Sequence, residues 1–163
     1  MMEGLARSFL PVADAATRVL VLGSLPGRKS LERQQYYAKP QNKFWYLAGA
    51  VLGAELVSLD YDARLAALLA GGMGVWDVLE SAERVGSLDA NIRNPQANLL
   101  AEFVATLPAL RVIGFNGMTA AAEGRRQLGG TGIPLLTLPS SSARYPMPFE
   151  QKRNAWLRLR DYL

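Results

Sequence analysis

The chain has 163 residues, half of them apolar and a fifth charged, enough to bury one core and too apolar for a disordered segment. It contains neither cysteine nor histidine, which excludes disulfides, zinc sites built on thiolate or imidazole, iron–sulfur clusters and every mechanism that needs those side chains. The net charge of +4 favours a phosphate-bearing partner through counterion release, without identifying one.

In chain order, residues 1–11 lack the long apolar centre and cleavage site of a secretory signal. No apolar run reaches the length of a membrane span, so the expected setting is cytoplasmic, with no membrane partner. Residues 18–23 are a short β-branched apolar run ending at glycine, the pattern of a buried parallel strand, followed by a loop over 24–27. Residues 42–53 carry Phe44, Leu47, Ala48, Val51 and Leu52 at helical spacing, with Gly53 as a stop. A second helix is predicted over 60–69, capped by Asp60, and a second strand over 74–79. Residues 81–95 are polar and read as one long loop. A helix over 96–107, a strand over 110–115 and a helix to about residue 128 follow. A glycine-rich turn at 129–132 precedes a strand over 134–138, a loop over 139–145 and a terminal helix over 149–163.

Strands alternating with helices predict an α/β fold: one domain over 1–163, a three-layer α/β/α sandwich around a central four-stranded parallel sheet. Ligands of such folds bind beyond the carboxyl ends of the strands. That rule brings residues 24–27, 76–79, Asn116-Gly117 and 140–144 to one edge. A nucleotide-phosphate domain of the doubly wound kind predicts Gly-x-Gly-x-x-Gly after the first strand, and that loop is absent.

The segment from Tyr36 to Trp45 is the densest in chemistry. Phe44 and Trp45 read as core. Tyr36 and Tyr37 precede Pro40 in a loop beside a strand end, where an aromatic ring can stack on a planar base for roughly 1–3 kcal/mol. Asn42 reads equally as a helix cap or a ligand-binding amide. Asn116, before a glycine, reads as a turn residue or a reader of a ligand's edge. Gly27 reads as a tight turn or a point of close backbone approach. Asp77 reads as a general base or, preferably, as an acceptor that steadies a loop. Lys39, Lys43 and Lys152 are candidates for phosphate contact beside the default of solvated lysine.

Gly23-Ser-Leu-Pro-Gly27, Ser30-Leu31 and Tyr36-Tyr-Ala-Lys-Pro-Gln-Asn-Lys-Phe-Trp45 together resemble the first motif region of the uracil-DNA glycosylase superfamily. The similarity is closest to the hypoxanthine-DNA glycosylase branch, with the mismatch-specific uracil glycosylases as near relatives. Leu138-Pro-Ser-Ser-Ser-Ala-Arg144 resembles the second motif, the loop that wedges into duplex DNA. Phe115-Asn-Gly117 sits where these enzymes keep a base-reading asparagine. The resemblance runs from about residue 19 to 156. Leu25 stands where many members carry Asp or Asn to position the attacking water, and Leu138 where many carry His or Asn. Both departures fit the hypoxanthine branch, whose catalysis is associated with the asparagine of Pro-x-Asn-x-Phe-Trp, here Asn42.

The resemblance implies a monofunctional glycosylase that hydrolyses the N-glycosidic bond of a deaminated base (hypoxanthine, uracil or both) flipped out of DNA. It implies no metal and no other cofactor, DNA containing a deaminated base as partner, and a monomer as the acting unit. Asn42 is the catalytic candidate. Tyr37, Asn116, Ser24 and Gly27 are the base-binding candidates. Ser140, Ser141, Ser142, Arg144 and Lys152 are the DNA-binding candidates. A carboxamide can align water but cannot take up a full proton, so the implied mechanism is dissociative, with the bond largely broken before water attacks. A lesion-binding module without turnover, favoured by Leu25, and a uracil-specific enzyme with a relocated catalytic residue are the competing expectations.

Overall fold

The computed structural model describes residues 5–163. Its elements in chain order are β1 (Leu5–Arg7), β2 (Val19–Gly23), α1 (Arg28–Arg33), α2 (Phe44–Leu52), α3 (Tyr61–Ala70), β3 (Met73–Asp77), β4 (Leu79–Glu83), β5 (Arg93–Ala97), α4 (Leu100–Val104), β6 (Val112–Asn116), α5 (Met118–Leu128), β7 (Leu135–Leu138) and α6 (Phe149–Trp156). Short 3-10 segments lie at Asp89–Asn91 and Leu157–Tyr162.

The central sheet is parallel, four-stranded and ordered β3-β2-β6-β7. In register, Val21 stands beside Val75 and Gly114, Gly23 beside Asp77, and Asn116 beside Leu138. All five residues of β2 are buried because helices cover both faces, which is why the strand reads as an unbroken apolar run instead of an alternation. Val19 and Val21 join a core with Phe44, Leu47 and Trp156. Leu20 and Leu22 point the other way, into a core with Leu100, Phe115, Ala120 and Leu128. This is the expected α/β sandwich.

Local chemistry sets the element ends. The Asp60 carboxylate accepts the Ala63 amide at 2.8 Å and starts α3, as a capping aspartate should. Gly53 closes α2 at φ 68°, a left-handed conformation that disfavours a side chain. Within α5, a Cβ on Gly124 would fall 2.0 Å from the Phe115 ring; the bare helix face lets α5 press directly onto β6.

Four expectations are corrected. Residues 81–95 are not one loop: β4 and β5 pair antiparallel, and β1 adds to form a second, three-stranded sheet of order β1-β4-β5. β5 is an exposed edge strand containing Pro95, so backbone pairing forms it without an apolar alternation. The strand predicted over 74–79 breaks after Asp77, where the chain leaves one sheet for the other. The helix predicted from 96 begins at Leu100, because Asn98 is tied to β3: its backbone amide donates to the Val78 carbonyl at 2.9 Å and its side chain to the Asp77 carbonyl at 2.8 Å. The terminal helix ends at Trp156 and tightens into the 3-10 segment. A short helix, α1, also stands in a segment given no element from the sequence.

Candidate active site

The carboxyl ends of β2, β3 and β6 and the loop after β7 border a cavity of about 380 Å³. Ser24, Tyr37, Asn42, Asp77, Asn116 and Ser142 all line it. Its size suits a small planar ligand.

Tyr37 takes a left-handed backbone conformation at φ 53°, uncommon for a side chain of its bulk. That turn lays its ring on Phe44, with centroids 4.0 Å apart and planes 13° from parallel. Phe44 is fully buried and backs the ring rigidly. The Tyr37 hydroxyl accepts the Asn116 amide at 3.2 Å. Burial, then the nearby Asp77 carboxylate, push the Tyr37 phenol well above its ordinary range, so it stays protonated. Tyr36 is corrected: it is buried among Phe9, Tyr37 and Trp45, and its hydroxyl donates to the Leu10 carbonyl at 2.8 Å. It is core, not a stacking surface.

Asn42 stands at the start of α2 and at the cavity wall. Its Oδ1 accepts the Phe44 amide at 2.9 Å, opening α2, and its side chain lines the cavity, half-buried. A carboxamide oxygen has two lone pairs, so one remains for water. The next amide, Lys43, donates to the Ser141 carbonyl at 2.9 Å, which clamps this segment to the loop after β7. Leu25 is buried in the core beneath the sheet and cannot position water.

Asn116, the last residue of β6, is held on both sides by Ser141. Its Oδ1 accepts the Ser141 backbone amide at 2.8 Å, and its Nδ2 donates to the Ser141 hydroxyl at 2.8 Å. With the Tyr37 hydroxyl, both Nδ2 hydrogens are engaged, leaving one oxygen lone pair for a ligand. Ser141 is thereby corrected: at 1% exposure its hydroxyl and amide are turned inward to orient Asn116 and are not presented to a phosphate at the surface. Ser140 and Ser142 remain at the surface of the loop, where their hydroxyls accept the amides of Ser142 and Arg144 at 3.1 and 3.2 Å. Arg144 is exposed beside them. Lys152 is corrected as well. It is 3% exposed, and its ammonium donates to the Ser142 carbonyl at 2.9 Å and lies over the Tyr145 ring. Burial, then repulsion from Lys43, lowers its pKa. It braces the loop from behind instead of reaching DNA.

The opposite wall comes from the segment read as a loop. Arg84 is buried and donates to the carbonyls of Pro26 and Gly86, with its guanidinium 4.0 Å from Asp89. Asp89 accepts the Ser24 hydroxyl at 2.9 Å on both oxygens. The Ser87 hydroxyl accepts the Arg28 amide at 2.9 Å. The Ser24 hydroxyl is committed to Asp89, and Gly27 is extended (φ −74°) with Ser87 3.3 Å from where its Cβ would stand; both of these expected base-binding residues line the cavity.

The sequence favours Asp77 as a loop-steadying acceptor. Instead it is 4% exposed, lines the cavity, and its Oδ2 has no hydrogen-bond partner among the described residues. Burial, then Asp89, push its carboxyl up to about 7, against the pull of Arg84. A Cβ on Gly23 would lie 2.7 Å from both Asp77 Oδ1 and the Tyr37 hydroxyl, so only glycine lets these two groups converge there. Among the described residues no cluster of three or more acidic side chains is placed to hold a metal ion, and no helix is long and apolar enough to cross a membrane.

The strand ends of the parallel sheet thus carry an aromatic ring, two amides and a serine-rich loop around one cavity. Residues 10–160 match the sequence model of the Uracil DNA glycosylase superfamily; the chain belongs to this superfamily, and it is a DNA glycosylase. Among its relatives is the Hypoxanthine DNA glycosylase of Methanosarcina acetivorans, 37% identical over 92% of this chain and 94% of the relative. The Hypoxanthine DNA glycosylase of Methanosarcina barkeri is 35% identical over the same shares. The solution NMR structure of a candidate uracil DNA glycosylase from Methanosarcina acetivorans superposes with a TM-score of 0.85 at 34% identity, covering 96% of each chain.

Proposed function

We propose that this glycosylase excises deaminated bases from DNA with hypoxanthine as its main substrate, using Asn42 to place the attacking water. The observation that carries the reading is that Asn42 and Tyr37 line the same cavity. A base inside the duplex hides its sugar bond, so it must first swing out of the stack. Tyr37, backed by Phe44, is the surface on which it lands. Asn116, held by Ser141, offers its remaining lone pair to a donor on the base edge. As the N-glycosidic bond breaks, positive charge grows on the sugar and negative charge on the base. Asn42 Oδ1 then aligns water against the sugar cation, which needs orientation and little proton transfer. Ser140, Ser142 and Arg144 would hold the flanking phosphates. The acting unit in this reading is a monomer in the cytoplasm.

The same reaction on uracil is the second reading, supported by the family itself. Duplexes with a single deoxyinosine or deoxyuridine, incubated with the protein and chelator, separate the possibilities. Repeated release of free hypoxanthine, faster than uracil, is the expected result. Release of uracil alone would replace the substrate assignment. Tight binding of both duplexes without release would make the protein a lesion-binding module.

A further inference from the structure

We infer that the Asp77 side chain is a catalytic acid, donating a proton to a ring nitrogen or carbonyl oxygen of the departing base. The inference rests on the proposed excision of a purine but assigns a residue and a step that Asn42 does not supply. Four observations converge. Asp77 ends β3 on the cavity wall. Its Oδ2 is buried with no hydrogen-bond partner among the described residues, so an ionised carboxyl would leave buried charge without a donor, which favours the protonated acid. Gly23 has no Cβ to block the space between Asp77 Oδ1 and the Tyr37 hydroxyl, which places the carboxyl beside the stacking platform. Burial, then repulsion from Asp89, hold the Asp77 carboxyl up to about 7, with Arg84 opposing, so it carries a transferable proton near neutral pH.

The chemistry balances. When the glycosidic bond breaks, its electron pair goes to the base, and the Asp77 proton joins it, so the base leaves neutral. Water held by Asn42 adds to the sugar cation, and the proton it sheds passes through solvent to restore Asp77. The net change is hydrolysis, with no oxidant, reductant or metal. Arg84 and Asp89, which do not touch the base in this scheme, are positioning residues for the carboxyl.

The test is single-turnover base release from pH 5 to 9 by the wild-type protein and Asp77→Asn. Substrates are deoxyinosine and 5-fluorodeoxyuridine, whose base departs readily as an anion. A general acid contributes roughly 10²–10⁴-fold. Wild-type release of hypoxanthine should fall about tenfold per pH unit above about 7. Asp77→Asn should be at least about 100-fold slower on hypoxanthine at pH 6, with the pH limb gone, and only several-fold slower on 5-fluorouracil. Equal losses on both bases, or an unchanged pH limb in Asp77→Asn, would overturn the inference. Should Asp77→Asn fold poorly, infrared difference spectra of wild-type protein through the same titration decide: a buried carboxylic acid band lost near pH 7 supports the inference, and an ionised carboxylate at pH 6 sinks it. If wild-type protein releases no hypoxanthine at any pH, the substrate reading fails separately, and the same pH comparison is read on uracil.

Discussion

Replacing Asn42 by alanine is expected to slow base release by about 10²–10³-fold, the usual cost of deleting one preorganised polar group at a reacting centre, while affinity for lesion-containing DNA stays within a few-fold. The two effects separate because Asn42 lines the cavity whereas the polar loop of Ser140, Ser142 and Arg144 is proposed to hold DNA. Alanine also removes the acceptor for the Phe44 amide, at about 1 kcal/mol. Asn42→Ser distinguishes a lost cap from a lost catalyst: serine restores a capping oxygen but is too short to reach the sugar. Both variants should be slow, and only Asn42→Ala should lose stability. Undiminished turnover in Asn42→Ala would remove the residue from the mechanism.

The stability of the protein should fall as pH rises from about 4 to 7 through Asp77. The ordinary carboxyl titrates at 3.8, and burial in the fold raises it to about 7. Below pH 4 both folded and unfolded chains hold the proton, and Asp77 contributes no slope. Between the two values the folded chain retains a proton that the unfolded chain has released, so rising pH favours unfolding. Above pH 7 the penalty is complete, on the order of 4 kcal/mol at about 1.4 kcal/mol per pH unit. Asp77→Asn has no such titration. Denaturation at pH 5 and pH 8 should show the variant gaining stability over wild type at the higher pH, even as it loses activity. Parallel pH dependences in the two proteins would show that Asp77 is ionised in the fold.

The sheet was legible because β2, β3 and β6 are buried on both faces, which leaves runs such as Val19–Gly23 with no polar interruption. The small sheet was not. β1 has three residues, and β5 is an exposed edge, so their pairing rests on backbone groups that every residue carries. The signal that existed was length: a polar loop from 81 to 95 is long for the inside of a compact domain.

The site was legible where residue type limits the options. Tyr37, Asn42 and Asn116 all reach the cavity. Serine and lysine are less constrained. Nothing in Ser140-Ser-Ser142 says that the middle hydroxyl turns inward to Asn116, because that depends on the register of β6 beside β7. Nor does a lone Lys152 reveal that its ammonium ends on a carbonyl ten residues earlier. The Asp77, Arg84 and Asp89 cluster assembles across the junction of two sheets, and one of those sheets was invisible.

The central claim is geometric, and a crystal structure of the protein bound to duplex DNA carrying a 2′-fluoro deoxyinosine, which resists hydrolysis, tests it most directly. The account predicts the hypoxanthine ring stacked on Tyr37, with one ordered water between Asn42 Oδ1 and the sugar C1′. A base still paired in the duplex, or an Asn42 carboxamide too far from C1′ for one water to bridge, would contradict it.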